Sequence, residues 1–240
     1  MAGLALEATP LTTLPVRDSE LRFPVGRVFC LGRNYHWDAA ADAAKEKPLY
    51  FMKPASAVTD ATGEITYPPL TDEFCHEIEL VVAISKAGAN IDPAHALAHV
   101  WGYAAGLDLT RRDLQMAAKA VGQPWEAAKA FDGAAPMTAL VPAGQIGHPR
   151  EGAIWLSVNG QERQRSDLSR QIWPVADVIS QLSAYITLRP GDLIMTGTPT
   201  GVAALQPGDV VNAAIEGIGA LEMRVGPRPV TLSSHKEHTQ

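Results

Sequence analysis

The stretch "CHEIELVVAI", residues 75–84, constrains this chain more than any other. Leu80 to Ile84 is an apolar run rich in β-branched residues, which reads as a buried β-strand. Glu77 and Glu79 stand just before it, two positions apart. Alternate side chains of a strand share a face, so two carboxylates stand side by side at the mouth of a hydrophobic strand. Like charges that close repel, and desolvation adds to the cost. Three arrangements relieve it: a shared proton, a Lys or Arg partner, or a bound cation. An oxygen-only ligand set suits Mg²⁺, Mn²⁺ or Ca²⁺ rather than Zn²⁺. Asp108 interrupts a second apolar strand, "YAAGLDLT". A lone acid there is commonly a turn or cap residue, but two anomalous strands together point to one shared site.

The remaining sequence places that site in a mostly β chain with a few short helices, an α+β arrangement. Strands are expected at 27–32, 49–54, 63–69, 101–110 and 191–202, and again within 208–225. "AIWLSVNGQERQR" (153–165) is the clearest hairpin, with Asn159-Gly160 as its turn. Asp92 and Pro93 give a good helix start. Residues 110–122 read as a helix, with Thr110 and Asp113 resembling a capping box and Gly122 as the stop. Residues 173–188 carry apolar positions at 175, 178, 179, 182, 185 and 186, the spacing of an amphipathic helix. No repeat or long linker divides the chain, so one domain is expected over 1–225, followed by a polar tail at 226–240.

Of the 240 residues, 46% are apolar and 19% charged, enough for a large core. The formal net charge is −6, with no basic block, which gives nucleic-acid binding no support. An acidic surface does not attract a small anion either, so any such attraction must come from a local metal or local arginines. Cys30 and Cys75 lack metal-ligand spacing and read as buried thiols in a reducing compartment. No basic n-region with an apolar h-region opens the chain, and no apolar run approaches the ~20 residues that span a bilayer. A cytoplasmic protein that does not enter membranes is the expectation.

Six segments in order, "FCLGRNY", "FMKP", "HEIELVVAI", "GYAAGLDLTRRDLQ", "PWEAAKAFD" and "ITLRPGDLIMTGTPTGV", resemble the fumarylacetoacetate hydrolase family, in its short acylpyruvate-hydrolase branch. The resemblance implies a fold of rolled β-sheets. It implies Glu77, Glu79 and Asp108 as ligands of Mg²⁺ or Mn²⁺, which would neutralise the paired glutamates. His76 then falls on the opposite face, as a structural hydrogen-bond partner. The implied reaction is hydrolysis of a C–C bond in an acylpyruvate, a fumarylpyruvate-like β-diketone acid, giving pyruvate and a carboxylic acid. Lys129 matches a family lysine beside the metal, where an ammonium stabilises developing negative charge. Arg33, Arg112 and Gln115 match positions near the substrate, and backbone N–H groups at Gly197 and Thr198 could hold its carboxylate. A small oxo-acid substrate and a homodimer are implied as well.

The match breaks at one place. Short relatives carry a histidine six residues after the glycine of "GRNY" and an acid three residues later, a pair that activates water. Here those positions are Asp38 and Ala41, and the nearby histidine is His36. Either His36 is the base, with Asp38 or Asp42 as a displaced partner, and hydrolysis survives, or the pair is lost. In the second case the site suits decarboxylation or tautomerisation of an oxo-diacid such as oxaloacetate, or is a degenerate metal-binding scaffold. The Ala-rich segment 33–48 has little apolar bulk to hold it in place, so it reads as a lid that orders on substrate binding.

Overall fold

The structure is a computed structural model that describes residues 5–7, 9–36 and 47–229. It is mostly β, with short helices. The larger sheet has eight strands, in the order Leu49–Lys53, Val28–Gly32, Leu193–Met195, Ile78–Ile84, Val100–Leu107, Ala135–Met137 and Val58–Asp60, with Val141–Pro142 also pairing to Val100–Leu107. A second sheet of five strands runs Gln161–Asp167, Ala153–Val158, Val210–Ile215, Gly219–Val225 and Glu64–Ile65.

Strand Ile78–Ile84 lies inside the larger sheet and is buried along its whole length. Its period of two divides it between two apolar cores. Leu80, Val82 and Ile84 pack in the main core with the inner face of the five-stranded sheet and with helix Val175–Tyr185. Val81 and Ala83 join a smaller core with Leu14, Val28, Cys30 and Met195. A strand covered on both faces has no polar side, which is why its sequence is continuously apolar. Glu77 and Glu79 extend the row of Val81 and Ala83. They therefore stand at the end of the smaller core.

The antiparallel neighbour Val100–Leu107 pairs Glu79 with Gly106 and Ile78 with Leu107. Two of its glycines permit close approach. A Cβ on Gly102 would lie 2.2 Å from the Val141 carbonyl oxygen, and one on Gly106 would lie 2.8 Å from Val81 Cγ2. Any larger residue would force this sheet apart.

Several expectations need correction. The helix at 110–122 begins at Arg112, and no capping box forms. Thr110 donates back to the Asp108 carbonyl at 3.0 Å, while Asp113 accepts from Thr71 Oγ1 and from the Asp72 and Leu114 N–H groups. Tertiary partners claimed both side chains before the helix end could. The amphipathic helix spans Val175–Tyr185 and buries Val175, Val178, Ile179 and Leu182, but Tyr185 is 77% exposed. "GEITYPP" shrinks to the two-residue edge strand Glu64–Ile65. The expected tail does not begin at 226: Gly226 N–H donates to the Ile65 carbonyl and Arg228 pairs with Asp72 at 2.9 Å. Residues 230–240 lie outside the described residues.

Other readings agree with the structure. Asp92 accepts from the Ala94 N–H as an N-cap, and Asn159 and Gly160 both have positive φ in the hairpin turn. Both cysteines are free thiols and buried. No helix among the described residues is long and apolar enough to cross a membrane.

Candidate active site

Antiparallel register brings the three acids together. The Asp108 N–H donates to the Glu77 carbonyl at 2.8 Å, so the end of one strand fixes the other. Glu77, Glu79 and Asp108 each offer a carboxylate oxygen, and these atoms lie within 4.8 Å of one another. All three residues are buried, at 7%, 2% and 1% exposure.

Two buried ammonium groups face the acids. Lys129 Nζ lies 2.8 Å from Glu77 Oε2 and 2.7 Å from Asp108 Oδ2, and it donates to Thr110 Oγ1 at 2.6 Å. Lys53 Nζ lies 2.8 Å from Asp108 Oδ1 and donates to the main-chain carbonyls of Leu109 and Lys129. Burial pushes the Asp108 carboxyl up, but Lys129 and Lys53 outweigh it and its pKa is lowered. Burial likewise opposes the Lys129 charge, and Asp108 and Glu77 more than offset it, so the ammonium is held.

Glu79 is left over. Its carboxylate accepts from the Gly197 N–H at 2.7 Å and has no cationic partner within ion-pair distance among the described residues. Burial first, then the neighbouring Asp108 and Glu77, raise its pKa well above the ordinary carboxylate range. Three acids against two lysines leave Glu79 as a buried carboxyl without an ion-pair partner among the described residues. That carboxyl, in an all-oxygen donor set, fits a hard divalent cation, which Glu77, Glu79 and Asp108 would hold.

The triad lies at the base of a cleft of about 480 Å³. Helix Arg112–Val121 forms one wall and presents Arg112, Gln115, Met116 and Lys119 to it. Those positions are i, i+3, i+4 and i+7, one helix face. Arg112 Nη1 donates to Gln115 Oε1 at 2.8 Å and lies 4.0 Å from Glu77 Oε1, next to the triad. Leu31, Leu49, Phe51 and Trp125 line it with apolar side chains, and residues 198–202 form another part of its wall.

That wall is held from behind. Buried Gln164 donates to Thr198 Oγ1 and the Pro199 carbonyl, both at 2.8 Å, and its Oε1 meets His76 Nδ1 at 2.9 Å. His76 thus points away from the acids and joins the two sheets. Gly197 has φ +93°, and a Cβ there would lie 2.7 Å from Asn34 Cβ. Its N–H is committed to Glu79 and is not available for a substrate carboxylate. Thr198 lines the cleft, but its hydroxyl is engaged with Ile78 and Gln164.

Arg33 lines the cleft with a positive φ of 59°. His36 does not line it among the described residues; its N–H reaches the Arg170 carbonyl at 3.5 Å. Asp38 lies outside the described residues, as do residues 37–46 of the expected lid. The first part of that segment is anchored. Asn34 is fully buried and exchanges hydrogen bonds with Trp173 and the Thr196 carbonyl.

The sequence reading missed Lys53, Tyr35, Trp125 and Lys119. The spacing of Lys119 from Arg112 carried a signal, since two helical turns return to the same face. Lys53 carried none, because nothing in a strand ending "FMKP" says that its lysine is buried.

Residues 27–226 match the family described as fumarylacetoacetate (FAA) hydrolase C-terminal. The chain belongs to the fumarylacetoacetate hydrolase family. It is 42% identical over 188 residues to a fumarylpyruvate hydrolase from a Ralstonia species, covering 78% of this chain and 96% of that one. It is 38% identical over 200 residues to the oxaloacetate tautomerase YcgM of Escherichia coli, covering 82% of this chain and 91% of that one. Among solved structures, the fumarylpyruvate hydrolase of Pseudomonas aeruginosa in complex with Mn²⁺ and pyruvate superposes with a TM-score of 0.90. It is 48% identical and covers 93% of this chain and 99% of that one. The expected family fold is the one found.

Proposed function

We propose that this protein hydrolyses acylpyruvates to pyruvate and a carboxylic acid, using a divalent cation, Mg²⁺ or Mn²⁺. The buried triad Glu77, Glu79 and Asp108, with Lys129 Nζ between two of its members, carries the proposal. Likeness to a relative solved with Mn²⁺ and pyruvate supports it. When bound, the cation supplies Lewis-acid polarisation of substrate oxygens.

The chain's own groups do the rest. Arg112 and Gln115, beside the triad, bind the carboxylate of the pyruvate portion. Water adds to the acyl carbonyl carbon, and the bond between that carbon and the pyruvate methylene breaks. The electron pair stays with the pyruvate portion, which leaves as an enolate and takes up a proton to give pyruvate. Lys129, held charged by its acidic neighbours, faces the negative charge that develops on oxygen. The water's proton goes to His36, carried by the segment that follows the anchored Asn34, with Asp38 as its partner.

A second reading has a specific observation behind it: no histidine lines the cleft among the described residues, and a relative named oxaloacetate tautomerase is 38% identical. Keto–enol conversion needs enolate stabilisation but no activated water. Assay of the Mn²⁺-loaded protein with acetylpyruvate, fumarylpyruvate and oxaloacetate separates the two. The proposal expects stoichiometric pyruvate from an acylpyruvate. Tautomerisation of oxaloacetate with no acylpyruvate cleavage would replace it with the second reading.

A further inference from the structure

The cleft is lined by both cationic and apolar side chains. Beside the triad stand Arg112 and Gln115. Two turns further along the same helix face, about 10 Å along the axis, stands Lys119. Met116, Leu49, Phe51 and Trp125 line the same cleft, and the Phe51 and Trp125 rings pack at 5.7 Å. This is the polarity of a short carbon chain with a carboxylate at each end.

Lys119 is placed to receive a ligand. Its ammonium lies over the Trp125 ring, 4.7 Å from the centroid, which orients the head group at the cleft wall. No carboxylate lies within ion-pair distance of it among the described residues. Partial burial, then the positive fields of Arg112 and Arg33, lower its pKa, and Glu77 offsets part of that. A seven-carbon diacid has six bonds between its carboxyl carbons and spans about 7 Å when extended. With a hydrogen bond at each end, its length is on the order of the two-turn separation of Arg112 and Lys119 along the helix.

We propose that Lys119, oriented by Trp125, is the specificity residue that binds a distal carboxylate, so that the preferred substrates are acylpyruvates whose acyl group is itself an acid. This rests on the acylpyruvate reading for the near end of the cleft, but its test does not need turnover. The probes are 2-oxoheptanedioate and 2-oxoheptanoate, equal in length and different only in the distal carboxylate. Neither has the β-diketone bond that hydrolysis requires.

Calorimetric titration of the Mn²⁺-loaded protein should show the diacid binding roughly tenfold or more tighter than the monoacid, the range of a charge-assisted hydrogen bond. In Lys119→Met that ratio should fall to about one, and Lys119→Arg should restore most of it. Loss of fold would abolish binding of both probes rather than change their ratio, and Trp125→Leu then provides the second test, expected to shrink the ratio. Equal binding of both probes by the unaltered protein, or a ratio unmoved in Lys119→Met, overturns the proposal. If the diacid preference holds while no acylpyruvate is cleaved, the hydrolase reading fails and the distal subsite stands.

Discussion

The Lys53 ammonium donates to the main-chain carbonyl of Lys129 and lies 2.8 Å from Asp108 Oδ1. One buried charge therefore fixes both a candidate metal ligand and the backbone of the candidate catalytic lysine. Removing it leaves Asp108 short of one partner in a dry site. Lys53→Met should cost about 3 kcal/mol of stability, the low end for breaking a buried ion pair. Because a cation can replace the missing charge, Mn²⁺ should raise the melting temperature of this variant by more than it raises the parent's. Urea unfolding with and without Mn²⁺ measures both; a loss under 0.5 kcal/mol would sink this account of Lys53.

Lys129 pairs with oxygens of Glu77 and Asp108 that the proposed metal would use. Lys129→Met should lower kcat roughly 10²–10³-fold, as loss of a charge-stabilising group does. Mn²⁺ should bind the variant at least as tightly as the parent, since that pairing is gone. Paramagnetic resonance of free Mn²⁺ reads the affinity, and weaker binding would show that Lys129 supports the metal instead.

Binding to the folded state alone raises stability. Mn²⁺ at a hundred times its dissociation constant should stabilise the protein by about 2.7 kcal/mol, and chelation should reverse it. Glu77→Ala should abolish this increment. Retention of it in that variant would remove Glu77 from the ligand set.

His36→Ala should reduce acylpyruvate hydrolysis by roughly 10²–10⁴-fold, as loss of a general base does, without changing Mn²⁺ affinity. Steady-state kinetics with acetylpyruvate checks it. Full activity in that variant together with loss in Asp38→Ala would reassign the base to Asp38.

Large apolar side chains stay exposed, among them Leu11, Leu21 and Leu70. With family membership, this supports a homodimer, and light scattering at micromolar concentration should give twice the chain mass. A mass of one chain would refute it.

The sequence by itself determined the strands and the anomaly within them. Apolar runs with period two, the Asn159-Gly160 turn and the Asp92-Pro93 helix start are local signals, set by backbone geometry over a few residues. Glu77, Glu79 and Asp108 were legible because a carboxylate inside an apolar strand is costly wherever the strand goes. Family motifs then named the reaction class. Only the tertiary structure decided how that cost is met. Lys53 and Lys129 come from segments 76 residues apart and reach Asp108 from two sides, and no local pattern records such a meeting. The same holds for Gly197, whose N–H goes to Glu79, and for Gln164, which holds the cleft wall from the other sheet. Long-range pairing assigns each buried polar atom its partner, because desolvation makes an unpaired one expensive anywhere in the fold.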